Sequence, residues 1–214
     1  MKTFLKTTAF ALLAACATLS SCSNTKLLSS YVAPDSKLSK SSKVLVVAMM
    51  GDQDKKLRAN MEKIMVENLR SRGIDAGSAI EQFGVDALKS LDEKTAMKRI
   101  KDKGFDGAFT IALLDKTKET TYKYGRIAIA PNPYRFWGYY NYYYSNFYGR
   151  VYIPGHYSDD NKFILEGSVY NLDSDKLLYS AKTKTFNPSS PQSLASEFTK
   201  KLVNDMYKNG VIAD

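Results

Sequence analysis

Side chains able to do acid–base, nucleophilic or metal chemistry are sparse and poorly grouped in this 214-residue chain. His156 is the single histidine, so no histidine cluster can hold a metal, and a serine–histidine–aspartate triad would have to use this one residue. Asp159 and Asp160 lie close by, but no Gly-x-Ser-x-Gly elbow accompanies them, and the glycine and proline before His156 mark a surface loop. Glu166 and Asp115, at strand positions, are the carboxylates a glycoside hydrolase would draw on. Nothing in the sequence selects them over a dozen others, because the spacing of such a pair is a property of the fold. Asp52 and Asp54 sit between an apolar strand and a helix, where carboxylates can serve a metal or phosphate-related site. Without a glycine-rich cradle or a following lysine–serine pair, capping of the helix is the favoured role. Asp173-Ser174-Asp175 has too few ligands and no placed glycine for a calcium loop, so it reads as a polar turn. No catalytic residue, metal site or cofactor is expected.

Sulfur is the exception. Lys2 and Lys6 precede an apolar stretch from about Thr7 to Thr18, which ends in Leu19-Ser20-Ser21-Cys22. The stretch is about a dozen residues, short of the ~20 a spanning helix needs, and the order of charge, apolar run and small residues is that of an export signal. No other segment is long and apolar enough to span a bilayer. Leu19-Ser20-Ser21-Cys22 resembles the lipobox of bacterial lipoproteins, in which an apolar residue and two small ones precede the cysteine. The resemblance implies removal of residues 1–21 and attachment of lipid to Cys22. Cys16 leaves with the leader, so Cys22 is the only thiol of the mature chain and no disulfide can form. At ~0.8 kcal/mol per buried CH₂, two or three acyl chains would hold the protein on a membrane permanently. Ser23 is not acidic, and lipoproteins of that kind resemble those sorted to the outer membrane. Asn24, Thr25 and Lys26 lack the acidic run that marks surface export, so the periplasmic face is expected. Residues 22–42, rich in Ser and Lys, read as a flexible tether.

Residues 43–214 are enough for a single α/β domain with its own core. Val44 to Met50 is continuously apolar and predicts a strand buried on both faces. A helix to about Arg72 follows, with Leu57, Met61, Ile64, Met65 and Leu69 on one stripe and Gly73 at its end. A strand near Ile74 to Ile80 and a helix from Asp92 to Lys103 complete a βαβα unit, and Phe105 to Leu114 is the expected sheet centre. Lys162 to Leu172 and the run through Leu177, Tyr179 and Ala181 alternate as a hairpin. Pro191 opens a last helix carrying Leu194, Phe198, Leu202 and Met206, ending at Gly210. The fold class is therefore α/β (α+β), a mixed β-sheet with helices packed on it. In element order it resembles small domains of periplasmic envelope proteins, such as the N-terminal domain of TolB or the periplasmic domain of curli-secretion lipoproteins. That analogy carries no function.

Between these elements, Tyr134 to Tyr157 places twelve aromatics in twenty-four residues, including the only tryptophan. Residues 124–131 and 148–154 look like two arms of a hairpin with residues 132–147 at its tip, and Pro131 and Pro133 with several asparagines favour an exposed loop. Tyrosine-rich loops recur at binding surfaces. The residues that would touch a partner are Tyr134, Arg135, Phe136, Trp137, Tyr139, Tyr140, Tyr142, Tyr143, Tyr144, Phe147 and Tyr148. Three readings compete: a lid folded back on the sheet, a surface docking a protein partner or a second copy, and a platform on which sugar rings stack with Arg126, Arg135 and Arg150 bonding to them.

The formal net charge of +9 falls to +7 without the leader and is spread along the chain with both signs mixed, which with export argues against nucleic acid as a partner. Lipobox, Ser-rich segment and composition together resemble the broad group of small lipoproteins of Bacteroidota-type bacteria, to which no activity is attached. The expectation is a non-catalytic, lipid-anchored accessory or assembly factor of the envelope that binds an envelope protein or itself. The alternative is a module that binds or hydrolyses cell-wall glycan.

Overall fold

The structure, a computed structural model, describes residues 24–212 apart from 35, 40, 87, 90, 120–134 and 147–159. Its elements are β1 (Thr25–Val32), β2 (Lys43–Met49), α1 (Lys55–Arg70), β3 (Asp75–Ser78), the short α2 (Ala79–Phe83), α3 (Glu93–Asp102), β4 (Gly107–Glu119), α4 (Phe136–Asn146), β5 (Asp160–Asn171), β6 (Lys176–Phe186) and α5 (Pro191–Lys208). The strands form one mixed sheet in the order β1-β6-β5-β4-β2-β3. β2 runs parallel to β3 and β4, while β4, β5, β6 and β1 pair antiparallel. This is the mixed α/β sheet with packed helices that the element pattern predicts. Among the described residues no helix is long and apolar enough to cross a membrane.

Each face of the sheet has its own core. On the first, Val44, Val46 and Ala48 of β2 and Phe109 and Ile111 of β4 meet the stripes of α1 and α5. On the second, Leu45, Val47 and Met49 meet Ala96 and Ile100 of α3 and the rings of α4. β2 is apolar from Val44 to Met49 because both of its faces are covered. Local chemistry sets the helix starts: Asp92 accepts from Thr95 N–H at 3.0 Å, and Ser190 accepts from Ser193 N–H at 3.0 Å with Pro191 in the first turn. Asp54 does not cap α1. Its carboxylate instead takes the Lys116 ammonium at 2.6 Å, tying the helix entry to β4. Gly73, Gly104 and Gly210 all have positive φ, and the three predicted helix ends fall there.

The β5–β6 turn is polar as expected, with the Asn171 carboxamide oxygen accepting from the N–H groups of Asp173 and Ser174 at 3.0 and 2.8 Å. The tether expected over residues 22–42 is not one. Thr25–Val32 forms the edge strand β1 along β6, Leu27 and Val32 pack on the first core, and Leu38 is buried with its N–H on the Val211 carbonyl at 2.8 Å. Thr25 exchanges a hydrogen bond with Thr185 at 2.8 Å and donates to Glu197 at 2.9 Å, which pins the first residue of the strand. Only Ser23 and Asn24 separate Cys22 from the sheet.

Candidate functional site: a polar groove beside the aromatic helix

Residues 136–146 are a helix rather than an exposed loop. Phe136, Trp137, Tyr139, Tyr140 and Tyr143 recur at helical spacing and are buried against the second sheet face, leaving Gly138, Asn141, Tyr142 and Ser145 outward. Burial of this stripe is what overturns the reading of these side chains as a ready contact surface. The lid alternative describes α4 correctly. Phe136 meets Tyr170 edge-on at 6.0 Å, and Trp137 stacks on Tyr140 at 5.0 Å. Tyr144 is half-buried, with the Lys89 ammonium 5.5 Å from its ring centre.

The helix is docked by polar contacts at both ends. At its start, exposed Arg135 donates to Asp175 at 2.5 Å and to Glu93 at 3.3 Å, and Phe136 N–H donates to Asp175 at 3.2 Å. A carboxylate at a helix N-terminus also opposes the positive end of the dipole. Further along, Tyr143 donates its hydroxyl to the Leu113 carbonyl at 2.9 Å, where the β4 ladder is interrupted by a bulge. Burial drives the Tyr143 and Tyr139 hydroxyls far above the ordinary tyrosine range, so both stay protonated donors.

Tyr139 reaches Glu166, whose carboxylate is 2 % exposed and accepts its hydroxyl at Oε2. Glu166 Oε1 accepts from Ser180 at 3.2 Å and lies 3.7 Å from the Lys182 ammonium. Ser168 in turn donates to Ser180 at 3.0 Å. Sheet register aligns these groups. Glu166 sits opposite Lys182 and Lys182 opposite Ser29, while Ser168 sits opposite Ser180 and Ser180 opposite Tyr31. Directly paired residues of antiparallel strands share a face, so two lateral rows of polar side chains cross β5, β6 and β1.

No described helix covers that half of the second face. The rows floor a half-open groove of about 770 Å³ that Ala33, Pro34, Tyr170, Lys176 and Leu177 close at one end. Such a volume falls within the ~300–1,000 Å³ of small-molecule sites. Tyr31, 50 % exposed, is the large ring left open to it.

Of the carboxylates named from sequence, Glu166 is the groove floor, but Asp115 is not a lining residue and pairs instead with Lys162 at 3.2 Å. The structure does not bring the two into one site. Asp52 and Asp54 belong to the opposite half of the sheet, and among the described residues no group of three or more metal-ligating side chains is disposed to hold an ion. Cys22, Tyr134, Phe147, Tyr148, His156, Arg126, Arg150 and the proposed hairpin arms lie outside the described residues. Sequence reasoning missed Ser29, Tyr31, Ser168, Ser180 and Lys182. The available signal was the run of polar residues at every second position of β6, which an uncovered sheet face permits and a helix-covered one does not.

No protein-family model matches the chain, and no curated protein sequence does. Among solved structures it is similar to PelC dodecamers from Paraburkholderia phytofirmans in two crystal forms. One has 13% identity, covers 84% of this chain and 94% of that one, and has a TM-score of 0.47. The other, of a point variant, has 14% identity, 82% and 94% coverage and a TM-score of 0.46. It is also similar to lipoprotein GNA1162 from Neisseria meningitidis, at 11% identity, 77% and 97% coverage and a TM-score of 0.42. The chemistry of the groove rests on this chain's own residues.

Proposed function

We propose that the chain is a non-catalytic envelope lipoprotein, held by lipid on Cys22 at the periplasmic face of the outer membrane, that acts as an accessory factor by binding through the open half of its sheet. The observation that carries the binding role is the groove itself: a sheet face with no described helix over it, lined by paired polar side chains, with its Glu166 held by the Tyr139 hydroxyl of α4. An antiparallel sheet can leave a flat face to water, but here that face is shaped into a groove of small-molecule size. The non-catalytic role is supported by the state of Glu166, whose two oxygens are already engaged by Tyr139 and Ser180, and by the absence of a second carboxylate among the groove-lining residues. The anchor is supported by the leader and by Leu19-Ser20-Ser21-Cys22.

Growth of cells expressing the chain with an alkyne fatty acid tests the anchor. The mature protein is expected to carry the label and enter the detergent phase on cloud-point partitioning, and Cys22→Ala is expected to lose both. An unlabelled wild-type protein in the aqueous phase would overturn the reading. For the absence of catalysis, release of muropeptides from purified sacculi is the opposing result.

A further inference from the structure

The groove presents a definite pattern of donors and acceptors. Ser168 gives its proton to Ser180 and Ser180 gives its own to Glu166, so both hydroxyl protons are directed along the floor. Their remaining lone pairs are acceptors, while the buried Glu166 carboxylate below them is engaged at both oxygens. Lys182 pairs with Glu166 by charge at 3.7 Å, beyond hydrogen-bond distance, so its ammonium places donors beside these acceptors, and Lys176 is a second lining ammonium. Acceptors and donors therefore alternate within a few ångströms. One carboxylate against two ammonium groups leaves a single positive charge among the lining residues. Beside them stand the exposed ring of Tyr31 and the apolar edges of Pro34 and Leu177.

We propose that this groove is a saccharide site, taking a short neutral or weakly acidic oligosaccharide. Resting on the reading of the groove as a binding surface, the assignment adds its ligand. A sugar hydroxyl both donates and accepts, so adjacent hydroxyls match the Ser180 oxygen and the Lys182 ammonium as a pair, and the C–H face of a pyranose matches the Tyr31 ring. A compact phosphate meets the Glu166 charge at the floor and is disfavoured. An added peptide strand would have to pair along β1, whose ladder is broken by a bulge between Leu27 and Ser29, a device that protects edges.

The test uses the mature lipidated protein in a detergent without sugar head groups, titrated calorimetrically with chitotetraose, cellotetraose and an acidic uronic-acid tetrasaccharide. At least one is expected to bind. Tyr31→Ala and Lys182→Ala are each expected to weaken it tenfold or more, with the melting temperature held within a few degrees because both side chains are partly exposed. No heat with any of the three at millimolar concentration overturns the assignment, as does binding that neither substitution alters. Saccharide binding by a protein that takes no fatty-acid label would leave the site standing and sink the anchor. A labelled protein that binds none of the three does the reverse.

Discussion

Glu62 is fully buried on α1 and gathers three donors from the ends of β2 and β3 and the first turn of α2, accepting from Ala48 N–H at 3.0 Å, the Ser78 hydroxyl at 2.5 Å and Ile80 N–H at 2.9 Å. Arg58 stands 4.0 Å away and is itself paired with Asp86 at 2.9 Å. Loss of solvation outweighs these partners and raises the Glu62 pKa above its ordinary 4.5. A carboxyl raised on folding binds protons more tightly in the native state. Its contribution is thus complete below about pH 4.5 and is lost as pH climbs through the elevated native value. Urea titrations of wild type and Glu62→Gln across that range are expected to show the wild-type advantage greatest on the acid side and shrinking upward. A difference that grows with pH would refute the assignment. Tyr139 makes the corresponding prediction on the other face: Tyr139→Phe leaves Glu166 Oε2 without its donor and should cost about 1–3 kcal/mol in the same titration. A loss below ~0.5 kcal/mol would mean that Ser180 and Lys182 already satisfy the carboxylate.

The helices differ in how they are held. α5 lies on the first face so closely that a Cβ at Gly167 of β5 would run into Leu202 and stand 3.1 Å from the Phe109 ring. Gly167→Ala is therefore expected to destabilise by about 1–3 kcal/mol through overpacking, read as a lower urea midpoint with unchanged slope. An unchanged midpoint would show that α5 can shift to make room. Its stripe of Leu194, Phe198, Leu202 and Met206 was legible in sequence because charged residues alternate with it. So were β2, β4 and the β5–β6 hairpin, whose periods or continuous apolar runs have no rival interpretation. α4 was not. Phe136, Trp137, Tyr139, Tyr140 and Tyr143 hold the helical period, but the residues between them include a tyrosine, so hydropathy contrast is low and the period is muted. β1 was hidden differently. An edge strand needs one apolar side only, its serines resemble a linker, and the bulge beside Leu28 breaks the alternation between Leu27 and Val32. The groove depends on both missed elements, since α4 holds Glu166 through Tyr139 and β1 supplies its outer row, and Glu166 alone could be named beforehand.

At the scale of the whole molecule, the short reach from Cys22 to β1 sets how the domain would stand on a membrane. Four residues span at most about 14 Å, so acylation of Cys22 would hold Lys26 near the lipid surface. β1 starts at the end of the sheet where β5 begins and β6 finishes, as the pairing of Thr25 with Thr185 and of Lys162 with Phe186 requires. The β5–β6 turn lies at the opposite end, roughly 35–40 Å away along the twelve residues of β5 at ~3.3 Å each. Between them the row of Ser29, Lys182 and Glu166 stands nearer the anchored end than the row of Tyr31, Ser180 and Ser168, so the groove would open sideways above the bilayer. Lipidation would occupy Cys22, and removal of the leader would take Cys16 with it, which would allow a single fluorophore to be placed at Lys26→Cys or Ser174→Cys, both exposed positions. In vesicles carrying a head-group quencher, the first label is expected to be strongly quenched and the second nearly unaffected. Equal quenching at both would lay the sheet flat on the surface. Quenching of neither, in protein shown to carry lipid, would overturn attachment at Cys22, because Lys26 lies within four residues of it whether or not β1 stays paired with β6.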